Sequence, residues 1–145
     1  MIGEALLEAA LGIDSQRLGN AHPGMAPHGV YPARGDDAWI VIAVSDDTQW
    51  QTLTRLMGDP SLAADPRFAT VGTRLLHRET LDWMIAQWTS GHPAQELAAL
   101  LQAQGIAAHP SWNSADIVAD PHLRSRGAIF DVKITDHDFR PAIRV

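Results

Sequence analysis

The stretch Ala38–Val44, AWIVIAV, limits more than any other what this chain can fold into. Its seven apolar residues have the length of a strand and fall far short of the roughly 20 that span a bilayer. Immediately before it stand Gly29–Arg34, a second strand-like run, and Gly35-Asp36-Asp37. That tripeptide offers a glycine for positive φ and short polar side chains, as a hairpin turn requires. A run with almost no polar alternation predicts a central strand covered on both faces. Any fold for this chain must therefore be built around a hairpin with Ala38–Val44 inside a sheet.

Around it the helix signals are regular. Residues 1–16 read as an N-terminal helical segment with Ile2, Leu6, Leu7 and Leu11 on one side and Gly12 placed to end it. Asp46 with Gln49 three residues on resembles a capping box, followed by Trp50, Leu53, Leu56 and Met57 on one face and Gly58 as a stop. Asp59-Pro60 and Asp65-Pro66 each place a capping residue before a proline suited to a first helical position, which predicts two short helical turns. Thr73–Thr89 reads as one long helix with Leu81, Met84, Ile85 and Trp88 as its stripe. Pro93 opens another, with Leu97, Leu100 and Leu101 inward as far as Gly105. A brief strand at Ile106–Ala108, short helices at Ser114–Ala119 and after Asp120-Pro121, and a closing strand at Ala128–Ile134 complete the pattern. The tail TDHDFRPAIRV shows no terminal element. Without a regular strand–helix–strand rhythm, the class is α+β: a small antiparallel sheet with several helices packed on it, in one domain over residues 1–145.

Composition excludes several functions. The net charge is −6 and Lys133 is the only lysine, so the chain lacks the cationic surface that nucleic acid demands. No cysteine is present, which removes disulfides, thiolate metal sites and cysteine nucleophiles. The N-terminus carries no signal-peptide pattern and no apolar run reaches membrane length, so the expectation is a cytoplasmic protein without membrane contact.

Candidate chemistry is sparse. Of the seven histidines, none forms the i, i+4 pair with an adjacent acid that a helical zinc site uses. Neither a GxSxG elbow nor a Walker loop nor a GxGxxG after a strand occurs. Ser45, Asp36-Asp37 and Asp46-Asp47 sit at turns and helix starts, where local capping accounts for them. Of five tryptophans, Trp39, Trp50 and Trp88 hold core-like positions, while Trp112 lies in the loop HPSWNS and suits packing or covering a ligand. The loop RLGNAHPGMAPH, stiffened by Pro23 and Pro27 and carrying His22 and His28, is the least ordinary segment.

The order RLGNAHP, APHGVYPARGDDAWIVIAV, DTQW, MGDPSLAADPRFAT, ELAALLQAQGIAAHP and DIVADPHLRSRGAIFDV resembles the small domain of class III CoA-transferases. That group includes formyl-CoA transferase, carnitine CoA-transferase and α-methylacyl-CoA racemase. The resemblance covers roughly Arg17 to Val132. It implies a homodimer of interlocked chains, each with a large Rossmann-like domain that this sequence lacks. It further implies a CoA thioester as substrate and CoA transfer between carboxylic acids through an aspartyl-CoA intermediate, on an aspartate outside this chain. No catalytic residue and no metal ligand is therefore assigned here. A glycine-rich loop of the family matches Gly19–His28, which implies a substrate-facing group of Gly19, Asn20, His22, Gly24, His28 and Tyr31. A non-catalytic binding or dimerisation module, or part of an acyl-CoA racemase, are the alternatives the same fold allows.

Overall fold

A computed structural model of the chain describes residues 2–13, 17–135 and 138–143. The chain divides into two compact units, residues 1–110 and 111–145. In the first, helix α1 (Ile2–Ala10) precedes the loop that leads to strand β1 (His28–Pro32). Strand β2 (Trp39–Ala43) follows, then helix α2 (Asp47–Leu56), a 3-10 turn at Pro60–Ala63, helices α3 (Val71–Leu76), α4 (Arg78–Thr89) and α5 (Ala94–Ala103), and strand β3 (Ala107–Pro110). In the second, helices α6 (Ser114–Ala119) and α7 (Pro121–Ser125) lead to strands β4 (Ile129–Thr135) and β5 (Asp138–Ile143).

The three-stranded sheet has the order β1-β2-β3 and is antiparallel throughout, so β2 is central as its apolarity predicts. The hairpin turns through Gly35 at φ 139° and Asp37 at φ 47°, closed by Ala33 N–H donating to Ala38 O at 2.8 Å. Register gives each face its row: Tyr31–Ile40–Pro110 points inward, and Val30–Val41–His109 points outward. Tyr31 and Ile40 of the inward row meet Leu81 and Ile85 of α4, Leu97 and Leu101 of α5, and Trp50 and Leu53 of α2 in one buried cluster. Each such aliphatic or aromatic side chain withdrawn from water contributes about 1.5–3 kcal/mol.

The outward row corrects the reading of β2 as covered on both faces. Val41 is 39% and Trp39 41% exposed, so Trp39 is no core residue, and its indole N–H instead donates to Asp37 Oδ1 at 2.9 Å. Strand apolarity by itself does not say which face of the strand is covered.

Caps behave as the sequence indicates. Asp46 Oδ1 accepts from Gln49 N–H at 2.8 Å, while Gln49 Oε1 reaches back to Ser45 N–H at 2.9 Å, one residue beyond a standard box. Asp59 and Asp120 cap their prolines' turns, accepting from Ser61 and Leu123 N–H. Asp65-Pro66 forms a turn without helix.

Three further expectations change. The helix drawn over Thr73–Thr89 is two helices: a capping box between Thr70 and Thr73 starts α3 early, and His77, at φ −109° and ψ 26°, ends it before α4 begins. The His77 ring lies edge-on to Phe68, 6.5 Å between centroids, which a continuous helix had no reason to specify. On α5 it is Ala98, not Leu100, that joins Leu97 and Leu101 inside, Leu100 being 44% exposed. The tail is not featureless, since β5 pairs antiparallel with β4 from Ile129↔Ile143 to Thr135↔Asp138. Pro141 is tolerated there because a two-stranded ribbon leaves every strand with a free edge. Residues 136, 137, 144 and 145 of that tail lie outside the described residues.

Candidate functional site

The loop before β1 is tied down along its length. Gly19 turns at φ 60°, a conformation that suits glycine. Beyond it, His28 Nδ1 donates to Asn20 O at 2.7 Å, which closes residues 20–28 on themselves. Inside that closure Gly24 N–H donates to His22 Nδ1 at 3.0 Å, and His22 pairs with Met25 in an isolated bridge. The two imidazoles stand 5.3 Å apart. These bonds make Nδ1 of His28 a donor and Nδ1 of His22 an acceptor.

Two arginines hold the loop from outside. Arg78 Nη2 donates to His22 O at 2.8 Å. Arg74, fully buried, donates through Nε to Ala26 O at 2.6 Å, through Nη1 to Phe68 O at 3.1 Å, and through Nη2 to Asp47 Oδ1 at 2.9 Å. Its guanidinium also lies over the Trp50 ring, 5.4 Å from the centroid. Burial pulls the Arg74 pKa down and the Asp47 hydrogen bond opposes that shift. Ala26 and Pro27 are joined by a cis peptide, and Pro27 O accepts from Val44 N–H at 2.9 Å, which anchors the loop's base to the end of β2.

Between this loop, the strand β1 and helix α4 lies an open cleft of about 480 Å³. Asn20, Ala21 and all five residues of β1 form one side, and Arg78, Asp82, Trp83 and Ala86 the other. Arg78, Asp82 and Ala86 fall at i, i+4 and i+8, one face of α4. Across the inner end, Tyr31 Oη donates to Asp82 Oδ1 at 2.7 Å, linking strand to helix. Burial raises the Tyr31 pKa well above the ordinary phenol value, the bond to Asp82 raises it further, and the charge of Arg78 opposes. Tyr31 is thus a fixed neutral donor. Gly29 gives the ring its room, because a Cβ there would stand 3.1 Å from Tyr31 Cζ and Oη.

The structure thus brings Asn20, His28 and Tyr31 to one cleft, with His22 joined to it through Arg78. Gly19 and Gly24 shape the loop and do not line the cleft. Arg78, Asp82 and Trp83 escape sequence reasoning. Their one trace there is that Trp83 falls off the apolar stripe of α4, and it is 65% exposed. Ser45, Asp46 and Asp47 act in capping and in the Arg74 pair. Among the described residues, no three His, Asp or Glu side chains come together as a metal site, and no helix is long and apolar enough to cross a membrane.

The family model for CoA-transferase family III matches residues 1–145. The chain belongs to that family. A probable CoA-transferase of Mycobacterium tuberculosis is 38% identical over 86% of this chain, and the succinyl-CoA–D-citramalate CoA-transferase of Chloroflexus aurantiacus is 37% identical over 83% of it. Among solved structures, a CAIB/BAIF family protein from Brucella suis superposes with a TM-score of 0.80 at 31% identity, over 95% of this chain. The chain spans 15% and 30% of the two CoA-transferases and 39% of the Brucella protein.

Proposed function

We propose that this chain supplies the loop and one cleft wall that enclose the acyl end of a CoA thioester, in an enzyme that moves CoA between short carboxylic acids. Membership of the CoA-transferase family supports the reaction class. Related proteins named for succinyl-CoA with D-citramalate or mesaconate, and for succinate with glutarate, support short organic acids as partners. The observation that carries the structural part is the loop itself, pinned at Asn20, His22 and Ala26 by His28, Arg78 and Arg74 beside a cleft. A loop fixed before substrate arrives excludes water without a further ordering cost, and water is what destroys an anhydride or thioester.

In the proposed reaction, a carboxylate oxygen of an aspartate outside this chain attacks the thioester carbonyl. The C–S bond breaks, CoA leaves as thiolate, and a mixed anhydride remains. The thiolate then attacks the aspartyl carbonyl, which releases the first acid as carboxylate and leaves an aspartyl-CoA thioester. The second acid reverses these steps and departs with CoA, so each hard transfer is divided into easier ones. Within this chain Asp82 is committed to Tyr31 and Asp47 to Arg74, which suits positioning and not attack. A homodimer with a large Rossmann-like domain completes the enzyme in this reading.

The test uses protein purified from its source cells, incubated with succinyl-CoA and a short acid. Transfer of CoA, and an acyl-CoA-dependent aspartyl adduct trapped by borohydride in a peptide foreign to this sequence, are expected. An adduct on an aspartate of this sequence refutes the nucleophile assignment, and absence of transfer refutes the reaction.

A further inference from the structure

We propose that His22 is an acid-released latch on the loop ahead of β1: as neutral imidazole it holds the turn at residues 22–25 closed through Nδ1, and its protonation frees that turn while the loop's other ties stay. The turn is built on one acceptor. Pro23 has no N–H, so the first backbone donor after His22 is that of Gly24, which reaches His22 Nδ1 at 3.0 Å. Nδ1 is bonded to Cγ as the Oδ1 of an asparagine is, so this bond closes the chain as an Asx turn does, with His22 and Met25 bridged beyond it. Unlike an asparagine oxygen, Nδ1 gives up its lone pair on protonation and becomes a donor. Two N–H groups then face each other, and the turn loses its bond. Histidine is the side chain that makes this change between about pH 5 and 8.

The surroundings confine the change to His22. His28 Nδ1 donates to Asn20 O at 2.7 Å and donates equally as imidazolium, so acid leaves that tie in place. Below the turn, Arg74 of α3 holds Ala26 O and Val44 N–H holds Pro27 O, and neither bond involves a histidine. The charges around the pair do not offset a new proton. The two rings stand 5.3 Å apart, so imidazolium charges on both repel each other. Helix α4 adds Arg78, whose guanidinium is bonded to His22 O, and Asp82, whose Oδ1 is taken by Tyr31 of β1. Among the described residues no carboxylate pairs with either ring. Gly24 is exposed, so its freed N–H turns to water. The loop thus has a base that acid leaves fixed and a tip that acid loosens.

The experiment follows the Gly24 amide and the ring resonances of His22 and His28 by NMR on the chain, from about pH 8 to about pH 5. The Gly24 amide proton is expected to move upfield in step with the His22 ring, at one midpoint. Its exchange, corrected for the intrinsic effect of pH, is expected to speed up several-fold. His22→Asn supplies an acceptor that acid does not remove, and should keep the amide bonded and its signal flat across the range. His28→Gln should retain the step, because His28 is not its source. Unchanged far-ultraviolet circular dichroism in both variants keeps the comparison to the loop, and no readout depends on transferase activity. A Gly24 amide that does not titrate, a step that survives in His22→Asn, or a step lost in His28→Gln each overturns the proposal.

Discussion

Replacing Arg74 tests whether capture of backbone carbonyls, more than its ion pair, holds the loop in place. In Arg74→Met the stem is retained and the guanidinium removed. Ala26 O and Phe68 O then lose their donor, in a region where Ala26, Phe68 and Trp50 are all fully buried. A stranded buried acceptor costs about 1–3 kcal/mol, and two give an expected loss of about 3–5 kcal/mol. The ion pair adds little, because the Asp47 side chain is 46% exposed and such a pair is screened to about 0–1 kcal/mol. Asp47→Asn should therefore cost under about 1 kcal/mol. Thermal unfolding followed by circular dichroism reads both, with a fall of roughly 10 °C expected for Arg74→Met and a few degrees at most for Asp47→Asn. Hydrogen exchange in Arg74→Met should also rise across residues 19–28. Equal costs for the two variants, or an unmoved loop, would refute the reasoning.

Three other perturbations address the cleft and its surroundings. Tyr31 is the chain's one tyrosine, so phenolate absorbance follows a single group. Its folded pKa lies above the unfolded value of about 10, so its contribution to stability is whole below about pH 10 and is lost as pH rises beyond; a folded-state midpoint near 10 contradicts this. Gly29→Ala should force the Tyr31 ring off Asp82 and cost about 1–3 kcal/mol in urea unfolding, whereas a neutral result would show that the ring has room. Asp65, held by the Arg67 side chain and then by the Arg67 backbone N–H, titrates at about 2. Its depressed value means that its contribution is present above the unfolded value of about 3.9 and fades as pH falls toward the folded one. Carboxyl NMR should show that midpoint rise in Arg67→Gln, and an unchanged midpoint would remove Arg67 as the cause.

The hairpin, the central place of β2 and the aspartate caps were legible in the sequence because each is written within a few neighbouring residues. Gly35-Asp36-Asp37, Asp46 with Gln49, and Asp120-Pro121 carry their geometry locally. The loop at Gly19–His28 was legible as unusual, and its family resemblance pointed to it before any contact was visible. What holds it was not legible. Arg74 meets Asp47 across 27 positions and Ala26 across 48, and Tyr31 meets Asp82 across 51. No local pattern distinguishes such an arginine from one on the surface. Trp39 misled because an apolar strand face exposed in this chain has the same composition as a buried one. The helix break at His77, whose ring lies edge-on to Phe68, has no punctuating glycine or proline to announce it in the sequence. Strand β5 hid in a polar tail because a two-stranded ribbon needs little apolar alternation to pair.

The central claim is that the pinned loop and the neighbouring α4 face meet an acyl-CoA. Its most direct test is hydrogen–deuterium exchange on the protein purified from its source cells, with and without succinyl-CoA. Protection is expected at residues 19–31 and 78–86, with the sheet's far strand β3 unchanged. Protection confined to other segments, with both of these regions unaltered at saturating ligand, would contradict the account.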